Sequence, residues 1–144
     1  MELLKKEPKP QVMPKIDKSL PPQEALELFI REAIAIGKYQ NVFLFSEDGL
    51  LLAGDHTKSN KTQDLLIEIT GILRDIKTMA ENLGGIQNLK EIAIEGENYK
   101  RIIFRFFNAF QQSVALAAIV PERTSYRGIT NRLVRTAKVV SSKL

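Results

Sequence analysis

The sequence contains no cysteine and a single histidine, His56. Without thiols there can be no disulfide framework, no thiolate metal site and no cysteine nucleophile. One imidazole is too few for a transition-metal centre built from nitrogen and sulfur ligands, so no metal is expected. Long apolar runs are also missing, and none approaches the roughly 20 residues that span a bilayer. The amino-terminal stretch MELLKKEPKPQ lacks the apolar core of a secretory signal. These absences lead to the expectation of a cytoplasmic protein. There is no Walker-type phosphate loop. The Gly84-Gly85 pair stops a helix rather than opening one, which sets the wrong end of the helix dipole toward a phosphate. The chain is therefore expected to be no enzyme and to carry no cofactor.

The 144 residues suit one domain with a tail, and a domain of that size buries a core without staples. Residues 1–22 hold five of the six prolines among interspersed lysines. Such a stretch can neither sustain a helix nor pack alone. It reads as an extended arm, whose Leu3, Leu4, Val12, Met13 and Ile16 could lie in a groove on the body. The domain proper is 23–144.

Pro21-Pro22 opens a helix. Ala25, Leu26, Phe29, Ile30, Ala33, Ile34 and Ile36 form its apolar stripe, and Gly37 stands where a C-terminal cap is expected. A hairpin follows: strands 41–46 and 50–54 around the turn Glu47-Asp48-Gly49. Both strands are apolar on both faces, and an antiparallel pair half in water would alternate. The sheet must therefore be covered on both sides. A second helix, about 62–83, has Leu65, Leu66, Ile69, Ile72, Leu73, Ile76, Met79, Ala80 and Leu83 within one broad face at 100° per residue. Strands are expected at 89–95, edge-like, at 101–107, and at 113–120, which is free of charge and suited to the centre. A last helix, about 125–141, turns Ile129, Leu133, Ala137 and Val140 inward. The fold class expected is α/β (α+β). It is a three-layer α/β/α domain of the profilin/longin-like kind around a five-stranded antiparallel meander sheet. The element order is helix-strand-strand-helix-strand-strand-strand-helix.

Few residues suggest chemistry. His56 beside Asp55 has no evident nucleophile and orienter converging on it. Glu91, Glu95 and Glu97 alternate at an edge strand, where solvated charge deters aggregation; the other reading of three such carboxylates is a hard-cation site. The strand RIIFRFF has the aromatics of an RNA-stacking sheet but not its glycines. The second helix is more informative. Ile67, Gly71, Arg74 and Thr78 project opposite its broad apolar face. Gly71 costs about 1 kcal/mol against alanine in a helix interior, and a glycine there lets another backbone approach. The face is read as an interface, rimmed by Arg74 and Lys77. Residues 122–144 carry six basic groups against Glu122. Among them Arg132, Arg135 and Lys138 form a candidate patch for an acidic partner, with nucleic acid or anionic membrane as a further alternative.

Over residues 23–141 the chain resembles the Roadblock/dynein-light-chain domains, the group that includes bacterial gliding-motility GTPase-activating proteins. The resemblance rests on NVFLFSEDGLLLAG, the long helix ending in ENLGG, the LKEIAIEGEN strand and turn, RIIFRFF, SVALAAIV and the basic closing helix, in that order and spacing. It implies a homodimer, or a heterodimer with a similar chain. In the family, third strands pair across a two-fold and long helices pack side by side. Here that implies Glu91, Ala93 and Glu95 on the strand, with Ile67, Gly71, Arg74, Thr78 and Lys77 on the helix. It further implies a small Ras-like GTPase as partner and no active site of the chain's own. A second implication is an interaction subunit of a motor, trafficking or signalling scaffold without a GTPase.

Overall fold

The computed structural model describes residues 20–54, 61–121 and 125–142. The arm over 1–19, and the loop holding Asp55 and His56, lie outside the described residues. The elements run α1 (Pro22–Gly37), β1 (Asn41–Ser46), β2 (Leu51–Gly54), α2 (Lys61–Gly84), β3 (Glu91–Glu95), β4 (Arg101–Ala109), β5 (Gln112–Val120) and α3 (Arg127–Ser141). The five strands form one antiparallel sheet in the order β2-β1-β5-β4-β3. It is two short meanders, β1-β2 and β3-β4-β5, joined where β5 pairs with β1 from Asn41↔Ile119 to Ser46↔Val114. The charge-free strand is the central one, and β3 is an edge.

The alternation of β5 explains the layering. Val114, Leu116, Ala118 and Val120 face α1 and α3, where they join Leu26, Phe29, Ile30, Val42, Leu44, Ile103, Leu133 and Val140 in the larger core. Ala115 and Ala117 face the other way, toward Phe45, Phe104 and Leu73. The small alanines leave room for α2 to approach the sheet, and Leu73 enters there. β2 carries one extra residue, Leu52, because Leu44 pairs with Ala53 while Phe45 pairs with Leu51. Such a bulge turns the strand locally.

Apart from offsets of one or two residues, as where β3 begins at Glu91 and α3 at Arg127, two boundaries differ from the sequence reading for a structural reason. Gly37 is the last helical residue, not the cap. Lys38 takes the left-handed position (φ 55°), and the Tyr39 N–H reaches the Ile34 carbonyl at 3.1 Å. Gly37 is needed for its missing side chain: a Cβ there would stand 2.9 Å from the Tyr39 ring and 3.0 Å from Ile129. The β4–β5 turn, expected across 108–112, is confined to Phe110 and Gln111, both at positive φ (54° and 59°). β4 and β5 are correspondingly longer.

Candidate partner-binding face

The helix α2 is lightly seated. Among its described side chains only Leu73 and Thr70 are buried, and Ile69, Ile76, Lys77 and Ala80 are half-buried. The Lys77 ammonium lies 4.0 Å from the centre of the Phe106 ring, so this cation covers the sheet rather than rimming a free face. A cavity of about 40 Å³ remains under the helix, between Phe45, Thr70, Leu73 and Ala115.

Four residues assigned from sequence to the inward face of α2 are turned out. Leu65 is 54% exposed, Ile72 59%, Met79 51% and Leu83 82%. The reason is geometric. The apolar arc spans about 140° at 100° per residue, and one helix on a sheet cannot bury so wide an arc while Thr70 and Lys77 also face inward. The outward residues, with half-buried Ile69 and Ile76 between them, recur at 65, 69, 72, 76, 79 and 83. This four-three alternation is the spacing of a helix–helix seam.

The direction in which the row rolls follows from the opposite flank of α2. There Ile67 meets the β1–β2 turn: a Cβ on Gly49 (φ +84°) would fall 2.8 Å from the Ile67 Cα. Thr70, Arg74 and Lys77 stand beside Ser46 and Glu47 on that flank. The exposed apolar row therefore lies on the flank of α2 turned away from the β1–β2 turn, over the sheet face that α2 covers. On that sheet face β3 presents Ile92, packed against the smaller cluster, and Ile94, 50% exposed.

The sequence candidates separate accordingly. Ile67, Gly71, Arg74 and Thr78 do share one exposed face, and Gly71 has open space where a Cβ would go. The Thr78 hydroxyl donates to the Arg74 carbonyl at 3.1 Å. That face is not continuous with the apolar row: Glu68 and Asp75, both exposed, lie between the two around the helix. On β3, Ala93 and Glu95 are exposed at the open edge. Glu91 is engaged, accepting from the Tyr126 hydroxyl at 3.3 Å and lying 3.9 Å from the Arg105 Nε. Arg105 in turn donates to the Asn131 side chain at 2.7 Å. The Tyr126 and Glu91 side chains hold the Arg127 guanidinium still further into its charged range. This polar network is not legible in the sequence, because its members come from two strands and the start of α3. Arg132, Arg135 and Lys138 are all exposed along α3. No described helix is long and apolar enough to cross a membrane.

A five-stranded antiparallel sheet with two helices on one face and one long helix on the other is the Roadblock fold. Among solved structures the chain is similar to MglB of Myxococcus xanthus, at 17% identity and a TM-score of 0.64, over 82% of this chain and 93% of that one. It is similar to the gliding protein MglB of Thermus thermophilus, at 15% identity and a TM-score of 0.68, over 92% and 100%. It is similar, too, to a Roadblock/LC7 domain from Streptomyces avermitilis, at 11% identity and a TM-score of 0.58, over 73% and 84%. No family model matches the sequence, nor does any curated protein.

Proposed function

We propose that this chain is a non-enzymatic cytoplasmic regulator or scaffold of a small Ras-like GTPase, acting as a two-fold dimer. The observation that carries the reading is the exposed apolar row Leu65, Ile72, Met79 and Leu83, on the helix that covers the same sheet face to which the edge strand β3 presents Ile94. A row at seam spacing on a helix resting on a sheet is suited to a second copy of that helix. An edge strand with unpaired main-chain groups is suited to a second copy of that strand. One two-fold satisfies both, because a symmetric interface sets like patch against like patch. The likeness to MglB supports the GTPase as partner.

In this reading the chain acts by shape. Two α2 helices side by side form a platform whose outer flanks carry Ile67, Gly71, Arg74 and Thr78. A platform complementary to one arrangement of a GTPase's mobile switch segments favours that arrangement. Whether this activates hydrolysis or anchors the GTPase is decided by measuring nucleotide hydrolysis while titrating the chain into Ras-like GTPases of the source organism. Binding by at least one is expected. Failure to bind any of them would sink the GTPase reading in favour of a motor, trafficking or signalling scaffold.

A further inference from the structure

Strand β4 outruns β3. The pairing of β3 ends with Glu91 opposite Arg105, followed by one bond from the Phe106 N–H to the Lys90 carbonyl at 2.9 Å. β4 continues to Ala109. Along an antiparallel strand the main-chain groups of successive residues point to alternate sides. Phe106 bonds toward β3, so Asn108 turns its own N–H and C=O the same way. Ser113 fixes the same phase from across β4: it stands opposite Asn108 and its carbonyl accepts from the Glu47 N–H at 3.2 Å, away from β4. No described strand lies beside Asn108 on the β3 side.

A groove of about 670 Å³ opens at that place. It runs around the sheet edge, between the end of α2 and the middle of α3, and Leu89, Phe107 and Val134 give it an apolar floor. Lys77, Lys90, Arg105 and Lys138 line it against two carboxylates, Glu47 and Glu81. Arg105 is held by Glu91 and Asn131, and Lys77 by the Phe106 ring. Lys90 and Lys138 enter no ion pair with a described residue, and Arg135 extends the charge one turn back along α3.

We propose that this groove takes an extended acidic peptide segment of a partner protein, lying beside β4 as a continuation of the line of β3. Main-chain bonding to an open edge supplies affinity in such a mode, and pockets for alternate side chains supply selectivity. Here Asn108 offers the main-chain pair; the side chains turned toward α3 meet Phe107 and Val134 with Lys138 at their rim, and the acidic set, turned toward α2, meets Lys90 and Lys77. The charge sign argues against the chain's own amino-terminal arm as occupant. Residues 1–19 carry five lysines against Glu2, Glu7 and Asp17. The site needs no second copy of the chain, because it opens beyond the first residue of β3.

Fluorescence anisotropy on the full chain tests this with a labelled peptide of alternating glutamate and valine. Two controls are its lysine-for-glutamate counterpart and a pair of versions N-methylated on one or the other alternate set of amides. The acidic peptide is expected to bind, and the lysine peptide at least tenfold more weakly. Lys90→Glu combined with Lys138→Glu, its fold checked by circular dichroism, should weaken the acidic peptide at least tenfold. One of the two N-methylated versions should lose binding to the same degree. The proposal is overturned if the acidic peptide does not bind, if the double variant binds it unchanged, or if both methylated versions keep full affinity. Retained binding of the methylated peptides with lost binding to the double variant would mean a purely electrostatic surface, which also overturns the strand-like mode.

Discussion

Lys38, Phe110 and Gln111 hold left-handed backbone that glycine holds without steric cost. Two successive positive-φ residues between paired strands make the turn whose twist suits a hairpin, ordinarily Asn-Gly. Phe110 has a compensating role, since its ring packs against the larger core. Gln111 is exposed, and nothing offsets its strain. Gln111→Gly is therefore expected to raise stability by about 1 kcal/mol, read as a higher denaturant midpoint with unchanged slope. Tyr39 carries a pH signature. Burial pushes its phenol up to about 12 from an ordinary 10, with Arg101 opposing. The folded state thus keeps this proton more tightly than the unfolded state does. The stabilisation is fully present below about pH 10 and is lost as pH rises toward 12, a span on the order of 3 kcal/mol. Tyr39→Phe should show a shallower alkaline loss in urea titrations from pH 9 to 12. At neutral pH it should cost about 1 kcal/mol, for the bond from the Tyr39 hydroxyl to the Tyr126 carbonyl at 3.3 Å. At this scale the sequence is legible in residue type but not in purpose. Gly37 reads as a helix cap because glycine usually serves there. The structure uses its lack of a Cβ to seat the Tyr39 ring, and only tertiary contact could reveal that.

At the scale of elements, α2 separates two kinds of apolar residue that look identical in sequence. Leu73 fills the space over Ala115 and Ala117, and Leu73→Ala should cost about 2–5 kcal/mol. Ile72, one position earlier, is more than half exposed. Ile72→Asp should leave the circular dichroism of the domain intact while halving the mass seen by light scattering, if the row is a dimer seam. Gly71→Arg, on a different face, should leave that mass unchanged; loss of the dimer there would move the seam to the Gly71 face. The presence and order of the elements could be read from periodicity and turn residues, and their ends to within about two residues. The angle at which α2 rests on the sheet could not. Nine apolar residues mark a broad face, but which part meets the sheet depends on Thr70, on Lys77 over Phe106, and on Gly49 against Ile67. These are contacts between segments far apart in sequence.

On the scale of the whole molecule, the β3 edge is open and α2 is half covered on the sheet face to which β3 presents Ile94, and the two deficits are related. Among the described residues the smaller core holds far fewer buried side chains than the larger one, so a single copy gains little from seating α2. Burying an apolar side chain contributes about 1.5–3 kcal/mol. The four exposed members of the row therefore represent stabilisation available only on association. If a second copy supplies the missing cover, folding and association are linked, and stability depends on protein concentration. The melting temperature of the wild-type chain should rise as concentration is raised a hundredfold. Ile72→Asp should melt lower and at a temperature independent of concentration, whereas the Lys90→Glu, Lys138→Glu variant should keep the wild-type dependence. A wild-type melting temperature that does not move with concentration would mean that α2 is stable on its own sheet. The exposed row would then serve a different protein, and the two-fold platform would have no thermodynamic basis.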